Sequence, residues 1–209
     1  MLPPEVTKTS KVLVVMRNPK DVCTSYFHHE KLIPPHSLKQ SYPFDEYAEY
    51  FMTGNVPYGD YWSYLKVNWK LLKMAVLILF SPNVFQDALS HCKKGSVKMI
   101  WFEDMKMDMK SVIKDIGDFI GFQVTDDQMD SLVNHMKIDN FKKNDAVNKK
   151  PIKGSVPDHV RENFNFIRKG VIGDGKGHFQ SPEIEQAFDN WVRENNKDSS
   201  GNVIGYTNV

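Results

Sequence analysis

The stretch KVLVVMRNPKD, residues 11–21, contains the change from strand to helix that decides the fold. It begins with a short apolar run, rich in β-branched side chains after the initial lysine, which is typical of a strand buried on both faces in a parallel α/β sheet. Asn18 is a good N-cap and Pro19 is tolerated in a first helical turn, so we predict a helix from Lys20 to His29. Arg17 then lies at the carboxyl end of a strand, where ligands gather in open α/β sheets.

The rest of the chain alternates between strand-like and helix-like patterns. A second strand is predicted from Val97 to Phe102, a turn from Gly54 to Gly59, and an extended loop from Phe141 to Asp158. Amphipathic helices are predicted at Phe44–Thr53, Tyr61–Lys73, Ser111–Ile120, Asp126–His135 with Thr125 as its cap, and Pro182–Asn195. This alternation favours an α/β fold that forms a single domain over residues 1–209, with a frayed tail at 199–209.

The composition limits the classes of partner and compartment. The chain has 27 Lys and Arg against 26 Asp and Glu, and this net charge of +1 provides no bulk attraction to nucleic acid or to an anionic membrane. The two cysteines, Cys23 and Cys92, are far apart and lack metal-ligand spacing, which fits a reducing compartment and predicts no metal site. No signal peptide is visible, and the longest apolar run, Ala75 to Phe80, is too short to span a bilayer, so we expect a cytoplasmic protein with no membrane contact.

Two segments have the residue types that bind an anion. Arg17 at the strand end and Ser25 in the following helix can both hydrogen-bond one phosphate, although a surface ion pair and a solvated serine would give the same spacing. The loop FIRKGVIGDGK at 166–176 combines three glycines with three cations, so backbone N–H groups and side chains can converge on one oxyanion. A flexible basic loop without a ligand is the alternative. The loop is not a Walker A sequence, because the G-K-S/T ending is missing.

Taken in order, five segments resemble motifs of the cytosolic sulfotransferase family. RNPKDVCTSY at 17–26 resembles R-N-P-K-D-V-x-x-S-Y, and RKGVIGDGK at 168–176 resembles the loop R-K-G-x-x-G-D-x-K. Between them, GNVPYG at 54–59 resembles G-x-V-x-Y-G, FEDMK at 102–106 resembles Y-E-D-M-K, and HMKIDNFKKN at 135–144 follows H-T-S-F-x-x-M-K-x-N with substitutions. The chain is therefore identified as a member of this family, which implies an α/β fold with a P-loop-NTPase-like parallel sheet flanked by helices.

The resemblance implies a sulfotransferase that moves sulfonate from 3′-phosphoadenosine 5′-phosphosulfate to a hydroxyl or amine of a small molecule, such as a phenol or alcohol. The positions that match the family's ligands for the donor's 3′-phosphate are Arg17, Ser25, Arg168, Lys169 and Gly170. Three further positions are assigned to the same cofactor site, namely Phe102, Ile138 and Phe166. Phe102 keeps the ring of the family's tyrosine without its hydroxyl, and Ile138 puts an aliphatic group where the family has an aromatic one.

Two family motifs are not found in the 209 residues. No stretch resembles T-Y-P-K-S-G-T-T-W, which holds the 5′-phosphosulfate, or K-T-H-L-P, whose histidine is the family's general base. We therefore expect an N-terminally incomplete domain, the C-terminal two-thirds of a sulfotransferase, with no catalytic residue of its own and little activity. A non-catalytic 3′-phosphoadenosine nucleotide-binding paralogue is the alternative. The histidines His28, His29 and His135 are not assigned as replacement bases, because a base must reach the acceptor proton.

Three local departures from the family pattern lead to further expectations. Residues 71–92 are longer than the family's link and are interpreted as an atypical insertion, from either a misassembled gene model or a lineage-specific loop. Gly175 stands where the family usually has tryptophan, so we expect a more mobile loop that lacks a packing group. The family's dimer segment, K-x-x-x-T-V-x-x-x-E, maps onto Lys176 to Glu185, but Gln180 and Ser181 replace its central pair. This replacement argues against a homodimer formed through the segment, although a homodimer stays possible.

Overall fold

The computed structural model describes residues 10–32, 38–39, 41–63, 65, 97–144, 146–147, 150, 158–162 and 166–197. Its strands are β1 (Val12–Met16) and β2 (Val97–Trp101). Its helices are α1 (Pro19–Glu30), α2 (Phe44–Met52), α3 (Phe102–Met107), α4 (Met109–Ile120), α5 (Asp126–His135), α6 (Ile138–Lys142), α7 (Asp158–Glu162) and α8 (Pro182–Asn195). Residues 61–63 and 65 are also helical. The predicted insertion at 71–92, the tail from 199, and the end of the helix predicted at Tyr61–Lys73 lie outside the described residues.

Strands β1 and β2 are parallel neighbours in the described part of the chain, as predicted for an α/β sheet. Met16 pairs with Trp101, so the residues that follow the two strands emerge side by side. Val14 and Met16 are buried, but Val15 is 52% exposed. The prediction that β1 is buried on both faces is therefore wrong within the described residues. Alternate side chains of a strand point to opposite faces, and only one face of β1 is well covered.

The turn after β1 is closed by contacts that fix the start of α1. The Asn18 side chain accepts a hydrogen bond from the Lys20 backbone N–H at 2.9 Å, and Pro19 occupies the first turn, which confirms the predicted cap. The backbone N–H of Asn18 donates to Glu103 Oε1 at 2.8 Å. Glu103 is fully buried just after β2, so a carboxylate from the neighbouring strand end holds the beginning of the helix.

Helices α1, α2 and α8 pack with β1 around an aromatic core, and we call these three helices the aromatic side. The buried residues they contribute include Phe27 of α1, Tyr47 and Phe51 of α2, and Phe188 and Val192 of α8. Phe51 and Phe188 stack with their ring centroids 6.0 Å apart. The amphipathic pattern predicted for α2 is confirmed, and Tyr50 is half exposed at the edge of its apolar face.

Helices α3 to α6 follow β2, and we call them the polar side. The buried residues on α3 and α4 are Glu103, Ile113 and Gly117, and α5 has none. The cap predicted for α5 is confirmed, because Thr125 and Gln128 form a complete capping box. None of the helices in the described part of the chain is both long and apolar enough to cross a membrane.

Beyond shifts of one or two residues at helix ends, the main differences from prediction lie at the end of β2 and at the two ends of the predicted loop 141–158. Phe102 begins α3 instead of ending β2, because Glu103 and Asp104 favour a helix N-terminus at this point. Phe141 belongs to α6, where its backbone N–H donates to the Lys137 carbonyl at 2.9 Å, and Asp158 begins α7. Single helical turns of this kind have too short a periodic pattern to be recognised in sequence.

Candidate functional site

Arg17 leaves the end of β1 and points toward the basic loop at 166–176. Its guanidinium lies over the Phe102 ring, 4.4 Å from the ring centroid. Nη2 donates to Asp21 Oδ2 at 3.1 Å and to the Val171 carbonyl at 2.6 Å. The Tyr61 hydroxyl donates to the Arg17 backbone carbonyl at 2.6 Å. The guanidinium is thus held where the strand end, α1 and the basic loop meet.

Asp21 connects this arginine with the backbone of the basic loop. Its side chain is 1% exposed. Oδ2 accepts the Gly173 backbone N–H at 2.9 Å, and Oδ1 accepts the Gly175 N–H at 2.7 Å. Hydrogen bonds to an ionised carboxylate are stronger than those between neutral groups. A single buried side chain therefore attaches the loop to α1 across 154 residues of sequence.

Arg168 and Lys169 both pair with the carboxylate of Asp174. Arg168 Nη2 contacts Oδ2, and Lys169 Nζ lies 2.9 Å from Oδ1. Asp174 is buried, whereas the Lys169 side chain is 56% exposed and that of Arg168 is partly exposed. Solvent screens ion pairs of this kind, so each contributes little to stability. The cations remain accessible to an anion from solution.

The charges of Arg17 and Arg168 act on each other. Burial, followed by the positive charge of Arg17, lowers the pKa of Arg168 below its ordinary value, and Asp21 offsets part of this effect. Nε of Arg17 is buried and has no hydrogen-bond partner within the described residues. An anion with several oxygens would reduce the repulsion and accept hydrogen bonds from both guanidiniums. The cluster therefore fits a phosphate group.

Two glycines let the loop approach its neighbours closely. Gly170 has a φ of 60°, and a Cβ at this position would lie 2.8 Å from Ile138 Cδ1. A Cβ at Gly175 would lie 2.7 Å from the Cβ of Lys20. Gly175 has no side chain to pack where the family usually has tryptophan. Instead, the loop backbone contacts α1 directly. Any side chain there requires Lys20 to move.

Ser25 lies on the face of α1 that is turned toward the basic loop. Asp21, one turn before it, bonds to the loop backbone, and His28, one turn after it, has its Nε2 3.3 Å from Nε2 of His178. Residues three and four apart share one face of a helix. The structure therefore places Ser25 between two points of contact with the segment 166–178.

The histidine pair lies beside the cations of the loop. Burial, with a further contribution from Arg168, lowers the pKa of His28 to about 4. Burial, and then Arg168 and Lys169, also lowers the pKa of His178. Both imidazoles are therefore neutral at pH 7, and one ring can donate its N–H to the other. The pair is a second link between α1 and the end of the loop.

The other assigned residues border the cation cluster. Phe102 lies under the Arg17 guanidinium, and Ile138 begins α6 and abuts Gly170. Phe166 is 50% exposed and packs edge-to-face on His29, with ring centroids 5.6 Å apart. Contacts from these three side chains to an adenine stay a prediction.

Sequence reasoning missed the two buried carboxylates and the histidine pair. Asp21 lies four residues after Arg17 on a predicted helix, and this spacing alone could have indicated a contact. Asp174 lies among the glycines of a basic loop, where an isolated acid is a signal for an internal ion pair. The contact between His28 and His178 has no sequence signal, because it joins residues 150 positions apart.

Comparison with known sequences decides the family. The sequence model of the sulfotransferase domain matches residues 1–81 and 83–200. The chain belongs to the sulfotransferase family. It is 28% identical to luciferin sulfotransferase of Photinus pyralis over 205 residues, which cover 96% of this chain and 49% of that protein. It is 31% identical to sulfotransferase 1B1 of Canis lupus familiaris, over 84% of this chain and 51% of that protein. The chain thus spans about half the length of these curated sulfotransferases.

Solved structures of sulfotransferase relatives share the fold. Retinol dehydratase, in complex with androsterone and the inactive cofactor PAP, superposes with a TM-score of 0.75 at 25% identity, over 100% of this chain and 52% of that one. Mouse sulfotransferase SULT7A1 complexed with PAP gives a TM-score of 0.69 at 25% identity, over 96% of this chain and 63% of that one. These similarities confirm the α/β sulfotransferase fold expected from the five motifs.

Proposed function

We propose that this chain forms the 3′-phosphate half of a sulfonate-donor nucleotide site in a sulfotransferase. The observation that carries the proposal is the convergence of Arg17, which follows β1, with Arg168 and Lys169, which precede α8. Arg17 donates a hydrogen bond to the Val171 carbonyl, so the end of β1 and the basic loop meet at this place. Family membership and the PAP named in both structural relatives support this assignment.

The donor nucleotide is 3′-phosphoadenosine 5′-phosphosulfate, and the described residues would bind one end of it. Arg17, Arg168 and Lys169 would neutralise the 3′-phosphate, with hydrogen bonds from the Ser25 hydroxyl and the Gly170 N–H. Phe102, Ile138 and Phe166 would border the adenine. The donor supplies a sulfonate whose bond to the 5′-phosphate breaks as the acceptor oxygen or nitrogen bonds to sulfur. This chain's residues bind and orient the leaving nucleotide.

The acceptor is proposed to be a small molecule with a hydroxyl or amine, such as a phenol or alcohol. The names of the relatives support this class: one is a luciferin sulfotransferase, and retinol dehydratase has been solved with androsterone and with retinol. We assign no residue of this chain to acceptor binding.

We propose that the 209-residue chain turns over slowly. Its sequence has no counterpart of the family's 5′-phosphosulfate loop or of the histidine general base. A general base contributes about 100- to 10,000-fold to a rate. The same observation favours a second candidate, a non-catalytic protein that binds 3′-phosphoadenosine nucleotides without transferring sulfonate.

Calorimetry with adenosine 3′,5′-bisphosphate and with adenosine 5′-monophosphate tests the nucleotide site. The bisphosphate should bind at least about tenfold more tightly, because the cluster contacts only its 3′-phosphate. Arg168→Ala should remove most of this difference. Arg193→Ala is the matched control, since Arg193 lies on α8 and bonds to Asn190. Equal affinity for the two nucleotides in the wild-type chain would contradict the proposal.

A transfer assay then separates the two candidates. The chain is incubated with 3′-phosphoadenosine 5′-phosphosulfate and a panel of phenols and alcohols, and sulfonated product is measured. Selective nucleotide binding with no product identifies the non-catalytic binder. Slow transfer supports a poorly active sulfotransferase, and turnover as fast as that of a full-length relative would refute the proposal of low activity.

A further inference from the structure

We propose that Asp21 is the positioning residue that makes this site selective for a 3′-phosphate. The inference rests on the proposed nucleotide function and adds a role for a side chain that does not itself contact the ligand. A buried carboxylate beside an anion site would normally oppose binding by charge repulsion. The contacts of Asp21 explain why it is placed there.

Both oxygens of Asp21 are used by groups that border the site. Oδ2 accepts from Arg17 at 3.1 Å and from the Gly173 N–H at 2.9 Å, while Oδ1 accepts from the Gly175 N–H at 2.7 Å. One carboxylate thus sets the position of a cation that follows β1 and of the loop backbone that follows Arg168 and Lys169. The distance between the two groups of cations depends on this side chain.

Arg17 also depends on Asp21 for its orientation. The carboxylate and the Val171 carbonyl both accept from Nη2, so one end of the guanidinium is fixed. Arginine binds phosphate through a rigid planar set of N–H groups, and small rotations therefore change how many of them reach one anion. Without Asp21, Arg17 would keep its charge and lose this fixed direction.

A second aspartate accepts hydrogen bonds from the backbone just beyond the basic loop and forms none with the cations of the site. Asp45 on α2 accepts the Gln180 N–H at 3.1 and 3.2 Å and the Ser181 N–H at 2.8 Å. It therefore anchors the segment a few residues beyond the loop. Asp45 is the matched control, because its loss weakens the same kind of backbone anchor away from Arg17.

The test measures the ratio of the dissociation constants of adenosine 5′-monophosphate and adenosine 3′,5′-bisphosphate. Asp21→Asn should weaken the bisphosphate about tenfold or more and leave the monophosphate unchanged, so the ratio falls. Asp45→Asn should leave the ratio at its wild-type value. A purely structural role for Asp21 would lower both affinities together, and that result overturns the inference.

The outcomes also separate this inference from the proposed function. A wild-type chain that does not distinguish the two nucleotides refutes the 3′-phosphate site itself. A selective wild-type chain whose Asp21→Asn variant stays equally selective refutes only the positioning role.

Amide hydrogen exchange of the wild-type chain keeps the inference testable if the variant does not fold. Without nucleotide, the Gly173 and Gly175 amides should exchange about tenfold or more slowly than that of the exposed Gly177, because Asp21 already holds them. Exchange of all three amides at the same rate would show that Asp21 does not preset the loop and would overturn the proposal.

Discussion

The aromatic side and the polar side differ in how deeply they are buried. The core of α1, α2 and α8 includes fully buried rings such as Phe188, whereas α5 on the polar side buries no residue. The residues assigned to the 3′-phosphate lie at the end of β1, on α1 or in the loop that leads into α8. The polar-side residues that we propose to border the adenine are Phe102 and Ile138. In the proposed site, phosphate binding would thus be anchored in the tightly packed part of the molecule, and base contacts would depend on the exposed part.

The largest effect should come from removing a ring on the aromatic side. Phe188→Ala is expected to lower the free energy of unfolding by about 3–5 kcal/mol, because it leaves a cavity under α8. Phe122→Ala is the counterpart after α4, where the side chain is 53% exposed, and it should change stability by less than about 0.5 kcal/mol. Urea unfolding of both variants measures the difference. Equal losses would show that burial does not separate the two sides.

The next effect concerns ion pairs on the two sides. Lys20 is buried and lies 3.0 Å from Glu185 and 2.7 Å from Asp189, which joins α1 to α8. Lys20→Met should cost about 1–3 kcal/mol, since two carboxylates lose their partner. Lys114→Met removes the exposed pair with Asp118 on α4 and should leave the urea midpoint close to the wild-type value. Comparable urea midpoints for the two variants would contradict this ranking.

A smaller effect is expected at the start of α5. Thr125→Ala removes the capping box and should cost about 1 kcal/mol. Because α5 is exposed, the loss should be confined to the polar side and leave affinity for adenosine 3′,5′-bisphosphate unchanged. Thr125→Ser keeps the hydroxyl and is the control. A loss of nucleotide affinity in the alanine variant would show that the two sides are coupled.

The effect that is smallest near neutral pH is a pH dependence on the aromatic side. The pKa of His28 is lowered to about 4 in the fold, whereas an imidazole in an unfolded chain titrates near about 6.5. Between these values the unfolded state binds more protons, so His28 makes stability fall as the pH drops from 6.5 toward 4. His28→Gln should flatten the fall in Tm over this range. An unchanged slope would mean that His28 is not shielded from protons by its burial and by the charges of Arg168 and Lys169.

Local rules account for much of the fold. Sequence predicts helix ends well where they depend on residues within a few positions of one another. This was so for the Asn18 cap, the Thr125 cap and the bounds of α8. The exposure of Val15 was not predictable, because an apolar strand does not reveal which of its faces is covered. Helix α3 begins at Phe102 because the acidic residues Glu103 and Asp104 favour a helix N-terminus there. This preference overrides the strand-like pattern of the preceding residues.

The residues of the candidate site likewise fall into those that sequence could identify and those that it could not. Arg17, Ser25 and Arg168 could be selected because their residue types and order match a family motif. Sequence spacing could indicate a local ion pair for Asp21 and for Asp174, but it could not reveal the bonds from Asp21 to the distant Gly173 and Gly175 backbone. The end of β1 and the basic loop are brought together by tertiary folding, and the periodicity of the sequence contains no information on this placement.

The link between Asp21 and Gly175 also has a consequence for the order in which this protein is made. The two residues are 154 positions apart, and the parallel pairing of β1 with β2 likewise joins distant segments. Contacts of such sequence separation form slowly, because a long loop must close before they stabilise anything. On the ribosome, α1 emerges long before the loop that would complete the proposed phosphate site. Recovery of nucleotide binding during refolding would therefore report a late step of folding, after the long-range contact between Asp21 and the basic loop has formed.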